Sequence, residues 1–177
     1  MTTTAKMVVD YIGTQMRLSG RTQLLKLLYY TQAWSLAWDG EPLFHDRIEA
    51  WEQGPVVVDA YYRRSPQGPA LTPEQQATID AVIDHYGRFY GKQLSDLTHE
   101  EHPWKVAWDA RPDHASNRGQ EEISLRDMRR EYTRQSMAGR GPRRLAQGVK
   151  HLSDDEVRCT VERNAERWAE ALALLAG

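Results

Sequence analysis

The stretch from Leu24 to Trp38, LLKLLYYTQAWSLAW, limits what this chain can fold into more than any other. Leu24, Leu27, Leu28, Thr31, Trp34 and Trp38 recur at the three- and four-residue spacing of one helical face. Leu25, Tyr29, Tyr30, Leu36 and Ala37 make the opposite side scarcely wetter. A helix apolar nearly all round is buried and central. Its fifteen residues fall short of the roughly twenty that a bilayer requires. Only Lys26, Thr31, Gln32 and Ser35 interrupt it. These read as part of a structural core, with a catalytic or ligand role for them as the alternative.

A chain of 177 residues suggests one domain, or one domain with an appendage. At that size about 70% of the unfolded surface can be buried, so no disulfide or metal is required for stability. The single cysteine, Cys159, excludes an internal disulfide and fits a reducing cytosol. Residues 1–10 carry one lysine and no long apolar run, which is not a signal-peptide pattern. The net charge of −2 is unevenly spread: from Arg126 to Lys150 eight basic residues face two acidic ones, a local +6 that leaves −8 elsewhere. Such a segment is a binding arm or a solvated linker.

Around the central helix the pattern predicts further short elements. Thr4 to Arg17 reads as a first helix, with Val8, Ile12 and Met16 stacked on one side. Asp39-Gly40 ends the central helix, because glycine supplies the left-handed residue that helix C-termini favour. Leu43-Phe44-His45 and Ile48–Trp51, flanking Asp46-Arg47, predict a small hairpin. Gly54-Pro55 opens a short helix over Val56 to Arg64. Thr72-Pro73-Glu74-Gln75 is a capped helix start, with Ile79, Val82, Ile83 and Tyr86 facing inward and Gly87 or Gly91 closing the helix. Leu94 to Leu97 predicts one helical turn and Pro103 to Trp108 another short helix. Asp113 to Glu122 is a polar loop, and Ser124 caps a helix running to about Gln135. Gly139-Arg140-Gly141-Pro142 breaks the chain. Ser153-Asp154-Asp155-Glu156 is a capping box before an apolar stripe of Val157, Val161, Ala165, Trp168, Leu172 and Leu175. The fold class is mainly α: a compact multi-helix domain around a buried central helix, with a small β-hairpin and a C-terminal amphipathic helix.

Several clusters carry chemistry to be weighed. His99-Glu100-Glu101-His102 contains two histidines and two carboxylates, a set able to hold zinc. The histidines are three apart rather than the four that place two on one helical face, and Pro103 pushes His102 toward extended backbone. The competing reading is a capping box, Thr98-x-x-Glu101. Cys159 has no adjacent histidine to activate it, and no serine elbow or phosphate-cradling glycine loop is present. Between Arg134 and Lys150 there is no aromatic residue to stack on bases, so docking of an acidic protein, or simple solvation, outweighs nucleic-acid binding. Tyr61-Tyr62-Arg63-Arg64 combines the residue types enriched at protein-interface hot spots.

Three segments then resemble one family. LLKLLYYTQAW (Leu24–Trp34) is similar to the LQKLLYYAQGW helix of the SocA-like, or Panacea, antitoxin domain. IEAWEQGPVV (Ile48–Val57) resembles its IEAWxxGPVV segment, and LSDLTHEEHPW (Leu94–Trp104) its LSxLTHxExPW segment. They stand in the family's order, and with Ile123 to Tyr132 the resemblance covers roughly residues 5–138. Leu25 replaces a usual glutamine, Ala33 a glycine, and Gln53 a frequent aromatic. The resemblance implies a helical domain that neutralises a cognate protein toxin by direct contact, with toxins that often block translation. Some relatives resemble adaptors delivering a toxin to a protease. It supplies no catalytic residue, and no metal, cofactor or membrane is expected. A metal-dependent hydrolase centred on His99 and His102 is the distant alternative.

The expected division is an antitoxin domain over 1–138 and, over 139–177, a basic linker plus an amphipathic C-terminal helix packed on the core or on a partner. Partner contacts are expected at Trp51, Tyr61, Tyr62, Arg63 and Arg64, at His99 and Trp104, and at Arg140, Arg143 and Arg144.

Overall fold

The long helix α2, Arg21–Asp39, is buried along most of its length, as its composition requires. The computed structural model describes residues 2–112 and 120–144. Gly40, at φ 74°, ends α2 in the left-handed conformation. Five polar residues inside this helix, Gln23, Lys26, Thr31, Gln32 and Ser35, are buried. Buried polar groups must find partners, and here four of the five find them on the backbone of neighbouring segments. Gln23 donates to the carbonyls of Gly87 and Phe89, at 3.1 and 2.8 Å. Gln32 donates to the Phe44 carbonyl at 2.9 Å and accepts from the amides of Leu43 and Phe44. Ser35 donates to Glu41 and Lys26 to Pro55. Thr31 bonds within the helix, to Leu28. The central helix thus fastens the loops around it.

Other helices complete the shell. α1 is Ala5–Gln15, burying Ala5, Val8 and Ile12. α4, Pro73–Tyr86, begins at the expected Thr72 cap, with Gln75 closing the reciprocal box. α7, Leu125–Met137, starts at Ser124, whose hydroxyl accepts from the Asp127 amide. Tyr29, Tyr30, Trp34, Tyr86 and Tyr132 meet in the middle: Tyr30 stacks on Tyr86 at 3.9 Å and Trp34 meets Tyr132 edge-on at 5.4 Å.

The hairpin is real but displaced by one segment. β1, Ile48–Trp51, pairs antiparallel with β2, Gly54–Val57, in the register Ile48↔Val57 to Trp51↔Gly54. Leu43 and Phe44 are not the partner strand, because their amides are already taken by Gln32 and their segment bridges to Thr3. Gly54-Pro55 opens a strand rather than a helix. Val56, Val57 and Val58 are β-branched and fit a pleated surface better than a helix, and Gly54, at φ 95°, is suited to leaving the turn. Only Val58–Tyr61, α3, is helical. The other edge of β1 is covered by the end of the expected polar loop, through Ala50 N to Glu121 O and Ile123 N to Ile48 O.

The region from 91 to 109 also departs from expectation. α5 spans Gly91–Glu100 rather than one turn, and α6 spans His102–Asp109. Thr98 lies inside α5 and donates to Ser95, so it caps nothing. Glu101 is the extended residue between the two helices, and His102 is already helical.

Gly139–Arg144 lies against the C-terminal half of α2. Gly141, at φ 90°, is packed on the Trp34 ring, Pro142 is buried, and Arg144 donates to Trp38 and Asp39. The expected amphipathic helix after Ser153, and Cys159, fall outside the described residues. Among the described residues no helix is long and apolar enough to cross a membrane.

Candidate functional site

The hairpin turn is where the recurring sequence segments converge. Within residues 51–55, three carbonyls accept from side chains on three helices. Trp104 Nε1 on α6 donates to Trp51 O at 2.9 Å, Ser95 on α5 to Gln53 O at 2.8 Å, and Lys26 on α2 to Pro55 O at 3.0 Å. His99 forms a backbone hydrogen bond at Glu52 and lies 4.1 Å from the Trp104 ring. Gly54 fits because it has no side chain: a Cβ there would stand 2.6 Å from Thr98 Oγ1 and 2.9 Å from Lys26 Nζ. Lysine, glycine-proline, serine, threonine, histidine and tryptophan thus form one clasp around a two-residue turn.

Burial decides the charges in this clasp. Lys26 is 1% exposed and is held down to about 7 by desolvation, since the charged form loses its water. His99 is lowered by burial first and by the nearby Lys26 second. Behind them Glu101 accepts from Tyr132 at 2.5 Å. Burial pushes its carboxyl up to about 7, although the hydrogen bonds of Tyr132 and Gln135 pull the other way. Among the described residues no group of three or more His, Cys, Asp or Glu side chains is arranged to hold a metal.

A groove of about 920 Å³ lies between α1, the start of α2 and α3. Val9, Leu18, Leu24, Leu25 and Ala60 give it an apolar floor, while Lys6, Asp10, Arg21 and Arg63 stand around it. Tyr61 and Tyr62 line one side of it and continue an aromatic chain from Trp51. Trp51 meets Tyr61 at 4.8 Å, and Tyr61 meets Tyr62 at 5.0 Å. The Arg21 guanidinium covers Tyr61 at 3.7 Å and donates to its carbonyl. Arg64 lies over Tyr62 at 4.6 Å and pairs with Asp59 at 3.6 Å. Such cation–π contacts contribute about 0.5–1 kcal/mol each when exposed and hold the rings in place. Arg63 has a φ of 56°, the only positive value outside glycine among the described residues. It costs about 1 kcal/mol and turns the chain back beside the groove.

The structure therefore brings Trp51, Tyr61, Tyr62, Arg63 and Arg64 together on one face. His99 and Trp104 stand behind that face, on the hairpin backbone, with Trp104 buried. Arg140, Arg143 and Arg144 do not join them: they follow α7, and Arg144 is engaged with Asp39 at the far end of α2. Arg21, Val9, Leu24 and Leu25 are groove residues that local sequence does not single out, because only the packing of α1 against α2 makes the groove.

By fold and site this is a mainly helical domain that clasps a β-hairpin turn and displays an aromatic–arginine groove. Residues 24–105, a little under half of the chain, match the model of the family described as antitoxin SocA-like, Panacea domain; the matched stretch is the central part of the fold. It contains α2, the hairpin, α5 and the first half of α6, the elements that build the clasp. No curated protein and no solved structure matches the chain.

Proposed function

We propose that this chain is an antitoxin that neutralises a cognate protein toxin by direct, non-enzymatic contact in the cytosol, through the groove between α1, α2 and α3. The observation that carries the reading is the Trp51–Tyr61–Tyr62 array with Arg21 and Arg63 at the edge of an apolar floor. Tyrosine, tryptophan and arginine beside a desolvated pocket are the residues that dominate protein-interface energetics. The family match supports an antitoxin role, and the proposal extends it to a toxin that blocks translation.

The test is genetic and then biochemical. Expression of a neighbouring reading frame alone should arrest growth and labelled amino-acid incorporation, and co-expression of this chain should restore both. A double change, Tyr62→Ala with Arg63→Glu, should abolish rescue and weaken the purified complex by at least about thirtyfold, the effect of losing one hot spot. Both side chains are exposed, so the melting temperature should hold within a few degrees. No toxicity from either neighbour, or full rescue by the double variant, overturns the reading. Toxin levels that fall when this chain is present would replace sequestration by delivery to a protease.

A further inference from the structure

A second groove, of about 740 Å³, lies at the other end of α2, between that helix and α7. Its floor is Leu36 and Ala37, and Met137 projects beside it at 86% exposure. Along its rim α7 places Arg126, Arg129 and Arg130 at the spacing that puts them on one helical face. Arg134, the next on that face, is neutralised by Glu131 at 2.6 Å. Among the described residues no carboxylate pairs with the other three. Among the described residues three cations of like sign thus stand together without an ion-pair partner, beside an apolar strip and an exposed methionine. Methionine adapts its shape to an apolar partner.

We propose that this groove docks an acidic amphipathic helix of a protein partner, with carboxylates on the three arginines and apolar side chains on Leu36, Ala37 and Met137. The charge selects an acidic ligand. The apolar strip selects a protein over a nucleic acid, since a phosphate backbone gains nothing from it and no aromatic side chain lines the groove to stack bases. From Arg126 to Met137 the rim runs about 16 Å at 1.5 Å per residue, the length of about three helical turns. This inference does not rest on the antitoxin reading, because Leu24 and Leu36 sit on the two grooves about 18 Å apart along α2.

A labelled synthetic helix of about eighteen residues, with glutamates on one face and leucines on the adjoining stripe, is titrated with the full chain while fluorescence anisotropy is read. Saturable binding is expected, weakening as salt is raised. Arg129→Glu with Arg130→Glu should reduce it at least about tenfold and should bind the matching lysine-for-glutamate helix instead. Met137→Ser, at a side chain almost fully exposed, should reduce it without altering the charge pattern of the rim. No saturable binding, or equal binding by the charge-reversed variant with an unchanged melting curve, overturns the proposal. Displacement of the helix by a lower concentration of duplex DNA would assign the groove to nucleic acid instead. Tyr62→Ala with Arg63→Glu should leave this binding intact, which separates its failure from failure of the other groove.

Discussion

Lys26 and Glu101 are two residues whose burial works against their charge, and they do so in opposite directions. Glu101 is pushed up to about 7 in the folded chain. Between its ordinary value of 4.5 and about 7 the folded state binds more protons than the unfolded one, so its contribution is present below the lower limit and lost as pH rises. Lys26 is held down to about 7 from 10.5. Across that interval the unfolded state binds more protons, so stability rises with pH. The two arms meet in a minimum near neutrality. Thermal unfolding should show it by difference: Glu101→Gln should flatten the loss between pH 4.5 and 7, on the order of 2–3 kcal/mol, and Lys26→Met should flatten the gain between pH 7 and 10. Parallel curves for wild type and both variants would refute the assignment. Neither arm was legible in sequence. Lys26 is one interruption of an apolar helix, and Glu101 reads locally as half of a capping box, with nothing nearby in sequence to show the Tyr132 hydroxyl that donates to it.

At the scale of elements, signals satisfied within a few residues are legible in the sequence. Thr72 and Ser124 start their helices as their caps require, and Gly40 stops α2, because each of those signals is satisfied within four residues. The hairpin was misplaced for a non-local reason. Leu43-Phe44 alternates well enough to be a strand, but Gln32 captures its amides from α2, and no local pattern reveals that. Proline at 55 suggested a helix start, whereas its carbonyl serves Lys26 and its missing N–H is tolerated opposite Ala50. The clasp makes a prediction of its own. Trp104→Phe keeps the ring against His99 but removes the donor to the Trp51 carbonyl. It should lower stability by about 1–2 kcal/mol and speed amide hydrogen exchange within Ile48–Val57 more than within α4. Because Trp51 also supports Tyr61, the same change should shorten the lifetime of a complex formed at that face. Uniform loss of protection in the hairpin and α4 would mean that Trp104 acts only as general core packing.

For the whole molecule, the decisive question is where the folded domain stops. The glycine-rich break at 139–142 marks an obvious end in the sequence, yet the structure continues to use it. A Cβ at Gly141 would stand 2.1 Å from the Trp34 ring, which is fully buried and cannot give way. Arg144 then closes over the end of α2 at Trp38 and Asp39. Gly139, also at positive φ, meets nothing within 4 Å, so the two glycines separate backbone strain from packing. Gly139→Ala should cost about 1 kcal/mol from its left-handed backbone alone. Gly141→Ala should add the overpacking penalty, for a total of about 3 kcal/mol and a fall in melting temperature of roughly 6–12 °C. Equal losses would show that Trp34 does not depend on the contact. The same geometry fixes the outcome of shortening the chain. A cut after Arg144 retains the cover over Trp34, whereas a cut after Ala138 uncovers it. Removing Gly141 and Pro142 opens the largest side chain of the core to water, and a tryptophan exposed in this way forfeits about 2–3 kcal/mol of burial. The shorter product should therefore melt lower by several degrees, with Trp34 fluorescence shifted to the red. If both cuts melt alike and neither shifts the emission, the domain ends at Ala138 after all.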